Sequence, residues 1–349
     1  MLTFTAFVEA LLSSKLLALS MILVAGTIFV NGATDAANSI AEAVGTRSIS
    51  FGKATLMAVI CEFFGLVISV AVSTAVADTI SNMVDFGGDT HHALVALCAA
   101  MVAIVGWGGI AWVFGIPTSE SHALIAGLSG AAIALQGGLA GINWAEWIKV
   151  IWGLALSTIG GFVLGYLLSN LLRHLLADTS YRQGNEFCGR LQVIGAGFGA
   201  FMHGAQDGQK FLSTAMLAIA LSQGAGVETG MQYPMWLMLA CATILGCGVA
   251  TGGRKIVQTV GTKVVKMEKY QGAAASLSAG LSLLASSLFG LPVSTTHTKT
   301  SAIMGAGASR SLRHVNWSVA YDMVMTWVLT FPCCGLIGYI LAWVFLRIF

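Results

Sequence analysis

The sequence predicts an all-α integral membrane protein folded as an inverted repeat, with broken helices and two re-entrant helical hairpins. Three observations carry that prediction: a large apolar excess, a polar Asp motif that occurs twice inside apolar sequence, and a Pro-Ser-His segment that follows each copy. Of 349 residues, 56% are hydrophobic and 9% charged, with a mean hydropathy of +0.83. A soluble domain carries about 25% charged residues, so this chain has too little polar surface to cover a core of its size. The apolar runs are long and lack strand-length alternation, so the spans are helices rather than barrel strands. Forty-two glycines suit helices that pack closely in lipid or break there.

The elements follow in order. Residues 1–15 read as a short amphipathic or surface segment. Residues 16–30 follow Lys15 as a signal peptide would, but no small-x-small cleavage site follows, so they form a first transmembrane helix. They enter Asn31-Gly32-Ala33-Thr34-Asp35-Ala36-Ala37-Asn38, and helix resumes to about residue 44. A polar turn with Arg47 and Lys53 precedes a span over 54–77 that contains Glu62, and an acidic loop then carries Asp78, Asp85 and Asp89. A span over 93–114 ends at Gly115-Ile116-Pro117-Thr118-Ser119-Glu120-Ser121-His122. Residues 123–135 are apolar but too short to cross a hydrocarbon core of about 30 Å. A span over 150–172 leads into a charged loop with Arg173, Arg182 and Arg190.

The second half starts near residue 191 and reaches His203-Gly204-Ala205-Gln206-Asp207-Gly208-Gln209-Lys210, continued by residues 211–221. Glu228 lies in the next loop. A span over 235–250 is followed by a basic loop with Arg254, Lys255, Lys263, Lys266 and Lys269. A span over 273–289 ends at Gly290-Leu291-Pro292-Val293-Ser294-Thr295-Thr296-His297. Residues 301–308 are again short and apolar, and 319–349 hold one or two helices around Pro332.

The two halves match at both places. Asp35 precedes His122 by 87 residues and Asp207 precedes His297 by 90, and two of only four prolines occupy matched positions. Such agreement indicates an internal duplication. Its organisation is a first repeat over 1–145 (Asp motif 31–38, hairpin 115–135), a connecting transmembrane helix and cytoplasmic loop over 146–190, a second repeat over 191–310 (Asp motif 203–210, hairpin 290–308), and a C-terminal transmembrane helix region over 311–349. In the first half the loop after the Asp motif is basic and the next is acidic. In the second half the second loop is the basic one. The positive-inside rule therefore sets matched loops on opposite sides, an inverted repeat of the kind found in secondary transporters.

Ionisable groups at membrane depth mark ion or substrate paths, and Asp35, Asp207, Glu62, Glu120 and Lys210 fall there. The two Asp residues suit Na+ coordination or proton carriage, and each follows Gly-Ala, where a helix can unwind and expose carbonyls. The plainer role is capping of a broken helix. Ser119, Ser121, Ser294, Thr295 and Thr296 precede short helices, where hydroxyls and free backbone N–H groups hold tetrahedral oxyanions. Ordinary N-capping is the alternative for any one of them; their recurrence beside an Asp pair favours the anion. His122 and His297, with Pro117 and Pro292, are expected to be structural at the hairpins. Seven cysteines in mostly apolar surroundings, with no CxxC, read as packing residues, so no transition-metal site or cofactor is expected. No basic run suggests nucleic acid, no P-loop suggests ATP, and a Ser-His-Asp hydrolase is disfavoured, so the chain is read as no enzyme.

These motifs resemble those of the inorganic phosphate transporter (PiT) family, which carries a GAND-type signature in each half and P-x-S-[ST]-[ST]-H hairpins. The resemblance covers nearly the whole chain. It implies a multi-pass symporter in the cell (cytoplasmic) membrane that moves phosphate with Na+ or H+, as a homodimer. It assigns phosphate binding to Ser119, Ser121, Ser294, Thr295, Thr296, Asn38 and Gln209. Cation binding or proton coupling falls to Asp35, Asp207, Asn38, Glu120, Glu62, Thr34 and Gln206. The sequence departs from the family pattern in places. Thr34 and Gln206 replace the Asn of GAND, Glu62 has no partner in the second half, and Glu120 stands at a hydroxyl position. Two arrangements are open for Glu120: protonated during binding, as in an H+ symporter, or paired with Lys210 or Lys299. Another tetrahedral oxyanion such as sulfate is the alternative substrate, and a passive anion channel is the alternative class.

Overall fold

The computed structural model describes residues 3–87, 89–114, 118–224 and 232–349. Among them every regular element is helical. The first half comprises α1 (Phe4–Ser13), α2 (Lys15–Thr34), α3 (Ala36–Gly45), α4 (Phe51–Val72), α5 (Ala75–Ser81), α6 (Thr90–Phe114), α7 (Glu120–Gln136) and α8 (Trp144–Leu175). The second comprises α9 (Tyr181–Ser222), α10 (Met235–Thr251), α11 (Arg254–Gln258), α12 (Lys269–Leu288), α13 (Thr295–Ala308) and α14 (Trp317–Ile348). Among the described residues, five helical stretches are long and apolar enough to cross a membrane: Lys15–Gly45, α4, α6, α8 and α14. Counting the bent pair Met235–Thr251 and Arg254–Gly261 makes six. The chain is a multi-pass membrane protein. Its lipid-facing side is visible on α8 and α14, which expose Ile151, Trp152, Leu156, Ile159, Val328, Leu336 and Ile340.

Packing repeats in matched pairs. α2 lies on α10 as α9 lies on α4; α2 also packs on α6 as α9 packs on α12. α7 packs on α14 and α13 on α8, so each short helix rests on the long helix of the other half. At 17 and 14 residues, these short helices reach only roughly 25 and 21 Å. Two isolated bridges also correspond, Val84 with Ile142 and Val265 with Val315. Next to them, Asn143 N donates to Met83 O and Asn316 N to Val264 O, at 3.0 and 2.9 Å. Both asparagines then cap the following helix with their side chains. Ile142-Asn143-Trp144 and Val315-Asn316-Trp317 are thus a third matched motif, legible in the sequence but too short to stand out there.

The glycines of the Asp motifs serve close approach rather than unwinding. A Cβ at Gly32 would run into the backbone of Leu245 on α10, and one at Gly204 into the backbone of Glu62 on α4. α9 accordingly runs unbroken through its motif. At Asp35 the interruption is a single residue that keeps right-handed helical angles, with Asn38 N bonding Asp35 O at 3.0 Å. The sharper breaks lie elsewhere, and they also correspond. Ser73 is extended between α4 and α5, and α10 bends by 63° into the following segment at Gly252 and at Gly253, which has φ +80°. The expected span over 54–77 therefore stops at Val72. The C-terminal region is one helix, with Pro332 inside α14.

α4 begins and α10 ends at the same end of the bundle, where the Arg254 guanidinium lies 5.4 Å from the Phe51 ring centre. The Thr46 and Ser48 hydroxyls both donate to Gln192 Oε1 at 2.7 Å, and Arg310 meets Glu268 at 2.6 Å. Asp85 belongs to another cluster of turns, where its N–H donates to Gly141 O at 2.9 Å.

Candidate functional site

The N-terminal ends of α7 and α13 meet. Ser119 and Ser294 cap them, accepting from the backbone N–H of His122 and His297 at 3.3 and 3.2 Å. The His122 and His297 rings stand edge to face with centres 4.4 Å apart. His297 stacks on Trp327 at 3.8 Å and His122 leans on Phe331 at 4.4 Å, both on α14. Both ring nitrogens of His297 lack a hydrogen-bond partner among the described residues. Both histidine rings are packed against neighbouring rings, His297 by stacking and His122 at a tilt. Pro292 lies in the segment leading into α13; Pro117 lies outside the described residues.

Against these helix ends sit the two aspartates, on α9 and at the α2–α3 junction. Asp207 is densely partnered. Its Oδ1 accepts from Lys210 Nζ at 2.7 Å and from the Ser121 hydroxyl at 3.2 Å. Its Oδ2 accepts from Asn31 Nδ2 at 3.1 Å and the Thr295 hydroxyl at 3.3 Å, and lies 3.2 Å from His203 Nε2. The other ring nitrogen of His203 is 3.2 Å from Glu62 Oε2, so this imidazole lies between two carboxylates, without a well-formed hydrogen bond to either among the described residues. Asp35 is sparsely partnered. Its Oδ2 accepts the backbone N–H of Glu120 at 3.2 Å. Asn38 Nδ2 donates to Thr296 Oγ1 at 2.9 Å. Asp35, His203 and Asp207 each offer an atom within 4.8 Å of the others. The amide oxygens of Asn31 and Asn38 have no partner among the described residues, which leaves two neutral oxygen acceptors beside the carboxylates. Every one of these side chains is shut away from solvent, none of Asp35, Asp207, Lys210, Thr295 or Thr296 exceeding 4% exposure. An ion or substrate reaches them only after the helices part.

The structure brings together Asp35, Asp207, Asn38, Glu62, Glu120, Ser119, Ser121, Ser294, Thr295 and Thr296. Three expected ligands are engaged elsewhere. Thr34 turns back on its own helix, donating to Val30 O at 2.8 Å. The Gln206 amide donates to Ser287 Oγ and Leu291 O at 2.9 and 3.2 Å. Gln209 fills the α4–α5 break, where its Nε2 donates to Ser73 O at 3.0 Å and its Oε1 accepts the Ala77 N–H at 3.4 Å. Buried backbone groups at a helix break need such partners, which explains an amide at that position. Glu120 pairs with neither lysine. Lys210 belongs to Asp207, and Lys299 meets Glu42 Oε1 at 2.5 Å and Ser39 O at 3.1 Å, with the Ser276 hydroxyl donating to the same carboxylate. Both Glu120 carboxyl oxygens lack a well-formed hydrogen bond among the described residues.

Sequence reasoning missed His203, Asn31 and Glu42. The first two were visible four residues before each Asp, one helical turn away on the same face. Glu42 carries no such signal, because its partners come from α12 and α13.

Comparison with known proteins gives the family. The sequence profile of the phosphate transporter family matches residues 31–338. The chain is 35% identical over 322 residues to a probable low-affinity inorganic phosphate transporter of Bacillus subtilis (strain 168), covering 92% of this chain and 94% of that one. It is 34% identical over 312 residues to a protein of the same description from Rhizobium meliloti (strain 1021), covering 89% and 90%. Its fold matches a solved structure described as the sodium-dependent phosphate transporter, with a TM-score of 0.86 at 23% identity, over 96% of this chain and 100% of that one.

Proposed function

The chain belongs to the phosphate transporter family, and from that premise we propose that it imports inorganic phosphate across the cytoplasmic membrane by symport with a cation, Na+ or H+. One observation carries the coupling: the two carboxylates hold the very donors that an oxyanion needs. Asp35 takes the Glu120 N–H at the start of α7, and Asn38, three residues on, holds the Thr296 hydroxyl at the start of α13. Asp207 takes the hydroxyls of Ser121 and Thr295 at the same two helix ends. Helix N-termini favour anions, so phosphate and the carboxylates compete for one set of donors. A cation or proton arriving at Asp35 weakens its hold on those donors and frees them for phosphate. Phosphate without the cation meets an uncompensated carboxylate. This reciprocity makes the two ligands bind together, which is the requirement of symport.

The scaffold we infer is an inverted repeat whose two re-entrant hairpins end in α7 and α13. The paired packings support it, as does the opposed run of α4 and α10, with Phe51 at the start of one beside Arg254 at the end of the other. Rocking of the halves would open the buried site to either side in turn. The homodimer remains part of this reading, with the apolar outer faces as the surface available to it.

The test is uptake of radiolabelled phosphate into proteoliposomes, with Na+ and pH gradients imposed separately and excess sulfate as competitor. Accumulation under one gradient supports the reading and names the coupling ion. Flux indifferent to both gradients would make the protein a channel, and labelled sulfate entry without phosphate accumulation would replace the substrate.

A further inference from the structure

The two Asp motifs differ in geometry: Asp207 holds an ammonium and Asp35 a backbone N–H. We propose that Lys210 is a coupling cation built into the chain: its ammonium fills the oxygen cage at Asp207, and only the Asp35 side is left for an exchangeable ion. Lys210 Nζ lies 2.7 Å from Asp207 Oδ1, 2.7 Å from Ser121 Oγ and 2.5 Å from Val293 O. An ammonium has three donors and no acceptor, and here three oxygens receive them. The Val293 carbonyl can only accept, so the nitrogen facing it donates. One carboxylate, one hydroxyl and one backbone carbonyl are the oxygen types that a small hard cation takes. They come from α9, from the first turn of α7 and from the segment before α13, so the ammonium ties together the parts that an exchangeable ion would have to join. The side chain is fully buried, at 0% exposure.

The first half shows what is left when no such charge is supplied. Asn38 stands three residues after Asp35 as Lys210 stands three after Asp207. It makes the corresponding contact, to the Thr296 hydroxyl at 2.9 Å, but it brings an amide and no charge. Among the described residues Asp35 has no ion pair to Lys or Arg, whereas Asp207 has one at 2.7 Å. A tethered cation cannot dissociate, so Asp207 stays neutralised through the cycle and adds nothing to the number of ions moved. Coupling then runs through the Asp35 side, with one exchangeable cation fewer than a site with two vacant cages would carry.

This inference rests on the cation-coupled reading, and the experiment separates the two. Lys210→Ala, Lys210→Asn and Lys210→Met are purified and reconstituted beside the unaltered protein. Phosphate uptake is measured under a fixed driving gradient in choline buffer, with and without methylammonium. In parallel, the unfolding temperature of each detergent-solubilised protein is measured in choline chloride, NaCl and methylammonium chloride. We expect Lys210→Ala uptake to fall by at least about tenfold in choline, since a buried ion pair has lost one partner. Methylammonium restores a severalfold part of it, while the unaltered protein does not respond. The unfolding temperature of Lys210→Ala rises with small cations more than that of the unaltered protein. Lys210→Met, which fills the volume and blocks the cage, shows no rescue. Full uptake by Lys210→Ala in choline overturns the proposal, as does a folded Lys210→Ala or Lys210→Asn that gains neither uptake nor thermal stability from any small cation. Absence of phosphate uptake by the unaltered protein defeats the phosphate reading instead, and the thermal comparison still decides the role of Lys210.

Discussion

Asp35 and Asp207 occupy corresponding positions in the two halves, yet one is nearly bare and the other enclosed. Four residues before each stands Asn31 or His203, and three after stands Asn38 or Lys210. The first half places amides there, the second an imidazole and an ammonium. The first Asp sits at a one-residue interruption between two helices, the second inside an unbroken 42-residue helix. The difference teaches that a few residues at matched positions divide the labour between the two Asp motifs. The Asp207 half provides a rigid, internally neutralised support, and the Asp35 half keeps a carboxylate whose partner must come from outside.

The largest effect is expected from breaking the enclosed side. Asp207→Asn strands the Lys210 ammonium and loosens His203, and loss of one partner of a buried pair costs about 3–5 kcal/mol. Thermal unfolding in detergent should show that loss together with loss of uptake. Asp35→Asn should abolish driven accumulation with a much smaller stability change, because no charged partner is left behind. Equal thermal losses in the two variants would erase the comparison.

Glu120→Gln sharpens it from the bare side. This carboxyl begins α7, has no lysine partner among the described residues, and its backbone N–H is held by Asp35. If the exchangeable ion is a proton carried there, the amide flattens the dependence of uptake on external acidity; an unchanged pH profile removes Glu120 from the coupling path.

Asn38→Ala removes one hydrogen bond to Thr296, worth about 1 kcal/mol, and should weaken phosphate uptake several-fold through misplacement of α13. Asn38→Lys is the sharper version, because it would give Asp35 a tethered charge of its own and should stop ion-driven accumulation altogether.

The smallest effect is expected at Gln209. Its amide closes the α4–α5 break, so Gln209→Ala should lower thermal stability by about 1–2 kcal/mol, the cost of leaving buried backbone groups unpaired. The concentration of phosphate giving half-maximal uptake should stay unchanged. A large change in that concentration would return Gln209 to the phosphate site.

Much of the site was legible because charged residues in apolar sequence are costly and therefore informative. Asp35, Asp207, Glu62, Glu120 and Lys210 announced themselves that way, and the hairpin hydroxyls did so by repeating. The partnerships were less legible. The sequence leaves Lys210 open as a partner of Glu120, but an i, i+3 position on one helix face delivers it to Asp207 instead. Thr34, Gln206 and Gln209 look like ligands in a motif, yet backbone acceptors and donors nearby had the first claim on them.

The sequence by itself determined that this is a helical membrane protein whose Asp and Pro-Ser-His motifs each occur twice, related to phosphate transporters, because hydropathy, spacing and motif are local or periodic properties. Only the tertiary structure decided which carboxylate is neutralised, where the helices truly break, and that glycines in the Asp motifs admit a neighbouring backbone. Those outcomes depend on α4 lying against α9, α10 against α2, and two helix ends meeting at one point. Such contacts join residues far apart in sequence, and no local pattern encodes them.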